Sequence, residues 1–198
     1  MFDIQTQLFE SQDLHLSPID HEKDPEIESK WTHDSEFMRL MDTNPARPMS
    51  AAMIKKQYEK LEKQIEENKN LYHFMIRLKA DERLIGKAAI QWIEWTNGNA
   101  FLRLGIGSTE DRRKGYGTQV LQMLLRFAFA ELNLFRVSAS VPEYNEGAIA
   151  LLHKLGFTQE VCRRSALERD GRRWDLYVFG LLRGEWQASG AKQSEPEG

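Results

Sequence analysis

The octet Asp111-Arg112-Arg113-Lys114-Gly115-Tyr116-Gly117-Thr118 separates two segments of different periodicity, and no other stretch restricts the fold as much. Before it, Ala100, Leu102, Leu104 and Ile106 alternate with Phe101, Arg103, Gly105 and Gly107, the period of a strand. After it, Val120, Leu121, Leu124, Leu125, Ala128, Phe129 and Leu132 recur at helical spacing. A strand must therefore pass into a helix through a basic, glycine-bearing turn. The first turn of a helix exposes unpaired N–H groups at the positive end of its dipole, and these attract anions. Gly115 and Gly117 allow a ligand to approach that backbone, while Arg112, Arg113 and Lys114 add charge beside it, a combination suited to a diphosphate. From the octet alone, an ordinary turn with a solvated basic edge fits equally well.

The segments on either side extend the pattern. Leu14, Leu16 and Ile19 start a short strand, and Ile27 to Met41 reads as a helix or a pair of helical turns. Ser50 is placed to cap a helix whose stripe is Ile54, Tyr58, Leu61 and Ile65. Alternation from Leu71 to Lys79 marks a half-buried strand, and the almost wholly apolar run from Leu84 to Trp95 marks a central one. Asn97-Gly98 suits a two-residue hairpin turn into the strand at 100–107. Beyond the long helix come a strand at Phe135–Val141, a short helix ended by Gly156, and strands at 157–161 and 174–182 joined by a polar arm with an Asp170-Gly171 turn. Antiparallel strands followed by strand, helix, strand, helix, strand imply an α/β fold, its mixed sheet containing one right-handed parallel crossover.

A chain of 198 residues suits one domain, here residues 1–186, with a polar tail at 187–198 expected to be disordered. A net charge of −3 argues against general nucleic-acid binding. Cys162 is the single cysteine, which excludes an internal disulfide and a thiolate zinc cluster, so no metal is expected and Cys162 reads as a small buried residue. There is no apolar run of the ~20 residues that span a bilayer and no basic leader, so the expected location is cytoplasmic, without a membrane partner.

Arg112-x-x-Gly115-x-Gly117 resembles the hallmark of the GNAT superfamily of N-acetyltransferases, which lies between a strand and a helix. Asn145-Glu146-Gly147-Ala148-Ile149, continuing to Lys154-Leu155-Gly156-Phe157, resembles the family's second signature. The ending Leu181-Leu182-Arg183-Gly184-Glu185-Trp186 is similar to the branch that includes the ribosomal-protein N-terminal and spermidine acetyltransferases. The resemblance implies a mostly antiparallel sheet with a splayed parallel pair and helices on both faces. It also implies acetyl-CoA as cosubstrate, a primary amine as acceptor (a peptide N-terminus, a polyamine or a small amine), and direct attack in a ternary complex; a homodimer is compatible with it.

By the same resemblance the pyrophosphate lies across the amides of residues 113–118, with Arg112, Arg113, Lys114, Gly115, Tyr116, Gly117 and Thr118 as its contacts. The pantetheine arm runs along the strand at Gly105, Ile106 and Gly107, where an N–H near Ile106 or Gly107 serves the oxyanion. Asn145 belongs to the pantetheine or diphosphate region, although it equally reads as a helix cap. For the base, Glu94 ranks ahead of Glu143 and Asp175. Leu152 stands where many relatives have an acidic tyrosine, so Tyr144 is the substitute proton donor. Arg103 replaces a frequent carboxylate and reads as a structural ion pair ahead of an anion contact. The resemblance places Trp31, Phe37, Trp92, Trp95, Trp174 and Tyr177 around the acceptor, although most of these rings equally read as core, and Asp34, Glu36 and Asp42 read either as attractors of a cationic amine or as a solvated helix face. The alternative is a noncatalytic acyl-CoA-binding regulator with the same fold.

Overall fold

The computed structural model describes residues 7–193. Strands β1 (Leu14–Ser17), β2 (Tyr72–Leu78), β3 (Leu84–Glu94), β4 (Asn99–Ile106), β5 (Arg136–Pro142), β6 (Thr158–Arg169) and β7 (Arg172–Leu182) form one sheet in the order β1-β2-β3-β4-β5-β7-β6. Every neighbouring pair is antiparallel except β4 and β5. The helices are α1 (Asp24–Thr32), α2 (Ser35–Met41), α3 (Ala51–Asn68), α4 (Tyr116–Arg126), α5 (Glu146–Lys154) and α6 (Arg183–Gln193). None of the described helices is long and apolar enough to cross a membrane.

Strand alternation decides which helices cover which face. Ile76, Ile90, Ala100 and Leu102 pack with Val120, Leu121, Leu124 and Leu125 of α4 and Leu152 of α5. Met75, the neighbour of Ile76, points to the opposite side and packs with Trp31, Phe37, Ile54 and Tyr58 from α1, α2 and α3. On that second face the register places His73 opposite Ala89 and Ala89 opposite Arg103, and likewise Met75, Lys87 and Gly105 in a row. Polar side chains thus sit under α1–α3 at strand positions where the other face is uniformly apolar.

The parallel pair is short. β4 meets β5 only at Asn99↔Arg136, Ala100↔Val137 and Phe101↔Ser138, whereas β5 stays paired with β7 from Arg136 to Pro142. Beyond Phe101 the two strands diverge, which leaves an opening in the middle of the sheet. The short α2 spans that opening. Gly105 lets it settle closely, because a Cβ there would overlap the Met41 thioether, and Gly107 does the same for α1, where a Cβ would overlap the Trp31 indole.

Ile27–Met41 takes the second of its two expected forms, a pair of helices, broken where Asp34 leaves helical geometry and caps α2 by accepting from the amides of Glu36 and Phe37. Other local expectations are corrected. The turn after β3 holds four residues, with Asn97 and Gly98 both donating to the Glu94 carbonyl, and a bulge between Gln91 and Glu94 precedes it. The polar arm is itself paired strand, closed by Asp170 (φ 52°) and Gly171 (φ 71°), the positive pair that a tight hairpin favours. Residues 187–193 are helical rather than disordered: the Glu185 carboxylate accepts from the Leu182 amide, and Trp186 stacks 5.2 Å from Phe129, so the final helix is anchored to the core. Residues 194–198 lie outside the described part. Ser50 caps α3 as expected, accepting from Met53 N–H.

Gly86 on β3 tests the central packing, because a Cβ there would run into the Gly105 carbonyl of β4 and meet Ile76 and Ile106 at 3.1 and 3.2 Å. Gly86→Ala is expected to cost about 1–3 kcal/mol in urea unfolding. Gly184→Ala, whose Cβ meets nothing within 4 Å, serves as the control and stays within about 0.5 kcal/mol of wild type.

Candidate active site

The divergence of β4 and β5 opens a cleft of about 390 Å³, bounded by Leu104–Ile106 of β4, the Arg112–Gly117 loop, Tyr144–Ala148 at the start of α5, and α2. Hydrogen-bond alternation sets which backbone groups face it. Gly107 N–H donates to Ile85 O at 2.8 Å, so Gly107 faces β3. Ile106, the adjacent residue, forms a non-hydrogen-bonded pair with Gly86 and turns its N–H toward the cleft. Of the two expected oxyanion donors, the Gly107 amide is already engaged and the Ile106 amide is the one directed at the opening.

The loop before α4 is shaped by Arg113 (φ 62°) and Gly115 (φ 83°), both in the left-handed region. Gly115 caps the helix and has open space on its Cβ side. Thr118 and Gln119 donate to the Gly115 carbonyl, whereas the amides of residues 113–117 donate no hydrogen bond among the described residues. These amides stand free at the positive end of the helix dipole, whereas Thr118 N–H is already used. Tyr116 turns inward and packs against the core. Beneath the loop, Asp111 is 1% exposed and accepts two hydrogen bonds from Arg83 at 2.6 and 3.0 Å. The Arg83 hydrogen bond holds the Asp111 carboxyl below the usual range, against the opposing effect of burial. Lys114 also approaches Asp111, at 3.7 Å.

Arg112 points elsewhere. It donates to the carbonyls of Ile106 (3.4 Å) and Gly107 (3.0 Å) and pairs with Asp34 and Glu36 at the start of α2. Tyr144 Oη donates to the Arg39 carbonyl at 3.0 Å, and Asn145 both caps α5 through Ala148 N–H and donates to the Leu40 carbonyl at 3.3 Å. Arg103 donates to the Met41 carbonyl and to Asp42, each at 2.7 Å. Arg112, Tyr144, Asn145 and Arg103 therefore all hold α2 over the cleft.

Glu94 is not brought to the cleft. Because β3 and β4 are antiparallel, the end of β3 lies beside Asn99, where β4 and β5 are still paired. Some ~20 Å of strand separates Asn99 from Gly105. There the Glu94 carboxylate accepts from the side chains of Asn97 and Asn99. Glu143 accepts from the Asp175 amide, and Asp175 from the Ser165 amide and the Cys162 thiol, so both carboxylates brace the β5–β7–β6 ribbon. Cys162 is exposed, not buried. Leu152 is core, Trp92 and Trp95 are exposed beside the β3–β4 turn, and Trp174 packs on Tyr144. Asp34, Glu36 and Asp42 are paired with Arg112 and Arg103.

A second cavity, about 650 Å³, lies between the sheet and α1–α3 and shares Phe37 and Met41 with the cleft. Its inner wall holds Glu28, 2% exposed, whose carboxylate accepts from Tyr58 Oη at 2.7 Å and pairs with Lys87. Burial first, and Glu28 beside it, push the Tyr58 hydroxyl pKa upward. His73 Nδ1 is enclosed with no hydrogen-bond partner among the described residues. Burial, and then the Lys87 charge, lower that imidazole to about 4. Sequence reasoning passed over Glu28, Tyr58, His73 and Lys87; the available signal was a set of polar residues at β2 and β3 positions facing helices.

Comparison with known proteins gives the geometry a context. Residues 13–158 match the acetyltransferase (GNAT) domain family. The chain is 29% identical over 166 residues to the uncharacterized N-acetyltransferase p20 of Bacillus licheniformis, covering 83% of this chain and 90% of that one. It is 30% identical over 154 residues to the SPbeta prophage-derived uncharacterized N-acetyltransferase YokL of Bacillus subtilis, covering 78% and 82%. Among solved structures, the spermidine N-acetyltransferase of Vibrio cholerae in complex with CoA and spermine shares the fold, with a TM-score of 0.77, 20% identity, and coverage of 89% and 99%.

The Arg83–Asp111 pair predicts a pH signature. The depressed carboxyl contributes stability above its unfolded value and loses it as pH falls through the folded one. Asp111→Ala should therefore lower stability by about 1–3 kcal/mol near neutrality, with the gap to wild type closing below about pH 4 in urea titrations.

Proposed function

The chain belongs to the GNAT acetyltransferase family and is an N-acetyltransferase, and on that premise we propose that it moves acetyl from acetyl-CoA to a primary amine by direct attack in a ternary complex. One observation carries the reading. The open end of the β4–β5 divergence, the unused amides of residues 113–117 and a second cavity adjoin one another, with only Phe37 and Met41 between the two cavities. A cosubstrate with a diphosphate at one end and a thioester at the other fits that layout, and the acceptor enters from the other side.

The chain's own groups then divide the work. Amides 113–117 take the diphosphate, assisted by the cations of Arg113 and Lys114. The edge of β4 at Leu104–Ile106 lines the pantetheine arm, and Ile106 N–H, directed at the cleft, supports the carbonyl oxygen as it gains charge. The ammonium first loses a proton to water; the amine nitrogen then bonds to the acetyl carbon, the carbon–sulfur bond breaks and the thiolate leaves, and the nitrogen's second proton passes through water to replace the one that Tyr144 gives the sulfur. A thiol has a pKa of about 8.5, so only modest protonation is needed, and Tyr144 at the cleft wall is the donor. Since Tyr144 and Asn145 hold α2 carbonyls, loading the cleft exchanges those bonds for contacts with the cosubstrate.

Release of CoA thiol on mixing the protein with acetyl-CoA and a panel of amines tests the reading; binding of acetyl-CoA without turnover on any amine would favour the noncatalytic alternative. Gly117→Asp puts a carboxylate where the diphosphate sits and should abolish acetyl-CoA binding in calorimetry while thermal unfolding stays cooperative. Tyr144→Phe should lower kcat by about 10–100-fold with a smaller change in KM for acetyl-CoA.

A further inference from the structure

The second cavity constrains the acceptor, and this inference rests on the acetyl-transfer reading. We infer that the acceptor is a primary amine that also carries a carboxylate, and that polyamines are disfavoured.

Charge bookkeeping around the cavity is the ground. Its carboxylates are Glu28 and Asp42, and its cations are Arg47, Lys87 and Arg103. Glu28 is saturated by Lys87 and the Tyr58 hydroxyl, and Asp42 by Arg103 and by the amide and side chain of Asn44. Arg47, exposed at the mouth on the loop between α2 and α3, has no ion pair or hydrogen bond among the described residues. A polycationic acceptor would find no uncommitted carboxylate, and one cation would repel it. An amine bearing a carboxylate supplies the partner that Arg47 lacks.

The inner wall adds no further anion. His73 lines it, and its Nδ1 is buried without a hydrogen-bond partner among the described residues. Its lowered pKa keeps it neutral at neutral pH, so it adds no positive charge and makes a weak base. The cavity therefore offers the uncommitted positive charge of Arg47 in place of the anionic wall that would hold several ammonium groups. Glu36 and Asp34, the remaining acids near α2, are engaged by Arg112.

The test is calorimetry on the full chain saturated with CoA, comparing 5-aminopentanoate with 1,4-diaminobutane, which present the same amine on the same methylene chain. The carboxylate-bearing amine is expected to bind about tenfold more tightly, and Arg47→Glu should erase or invert that ratio. The C-terminally amidated peptides Gly-Glu-Glu-NH2 and Gly-Lys-Lys-NH2 run in parallel: preference for the first, with 5-aminopentanoate silent, assigns the carboxylate to a peptide source. Equal or tighter binding of 1,4-diaminobutane, or no binding of any carboxylate-bearing amine, overturns the inference. A carboxylate preference without CoA thiol release from acetyl-CoA upholds the cavity's ligand preference while refuting the transferase reading, so the two failures are separable.

Discussion

The parallel contact between β4 and β5 ends after Phe101, and most of the molecule's functional geometry follows from that interruption. Backbone groups that would have joined the ladder are turned into a cleft instead, and buried N–H and C=O groups need partners. β5 satisfies its far edge with β7 over its whole length, so the sheet stays continuous on either side of the gap. On the β4 side Arg112 supplies donors to the carbonyls of Ile106 and Gly107, while the Ile106 amide stays directed at the cleft. The helix that follows then presents its uncapped amides at the same opening. Unpaired helix amides and an extended backbone edge thus share one cavity without any dedicated loop.

Helix α2 is the second consequence. At seven residues it has little stability of its own, and its position comes from tertiary ties. These run from Arg103, Arg112, Tyr144 and Asn145, with Arg39 pairing to Asp170 on the β6–β7 turn. Exposed pairs of this kind contribute little singly, about 0–1 kcal/mol. Close packing of Met41 on Gly105 and of Trp31 on Gly107 adds the shape fit. The glycines expected to clear a path for a ligand arm thus also make room for α1 and α2. Because Phe37 and Met41 line both cavities, α2 is the partition between them.

Much of this was legible in the sequence. Alternation and helical stripes gave the strand and helix order, the mixed sheet with one parallel crossover and the Ser50 and Asn145 caps, because each depends on local spacing, while the splaying of the parallel pair came from the family resemblance. Glu94 was misassigned because its strand was read without the consequence of antiparallel pairing: a hairpin places the end of β3 beside the start of β4, away from the divergence. The disordered-tail reading rested on polarity and missed the anchoring of Trp186 on Phe129, a contact between residues distant in the chain. The second cavity was not visible for the same reason. Glu28, Tyr58, His73 and Lys87 come from two helices and two strands, and nothing in their spacing announces that they converge.

The central claim is that the opening between β4 and β5, with the amides that follow it, holds the cosubstrate. Amide hydrogen exchange read by mass spectrometry, with and without saturating acetyl-CoA, addresses it directly. Slowed exchange confined to residues 104–107 and 113–118 and the start of α5, with β1 and β2 unchanged, is the predicted result. Protection elsewhere, or none in those segments under conditions where binding is measured independently, would contradict the account.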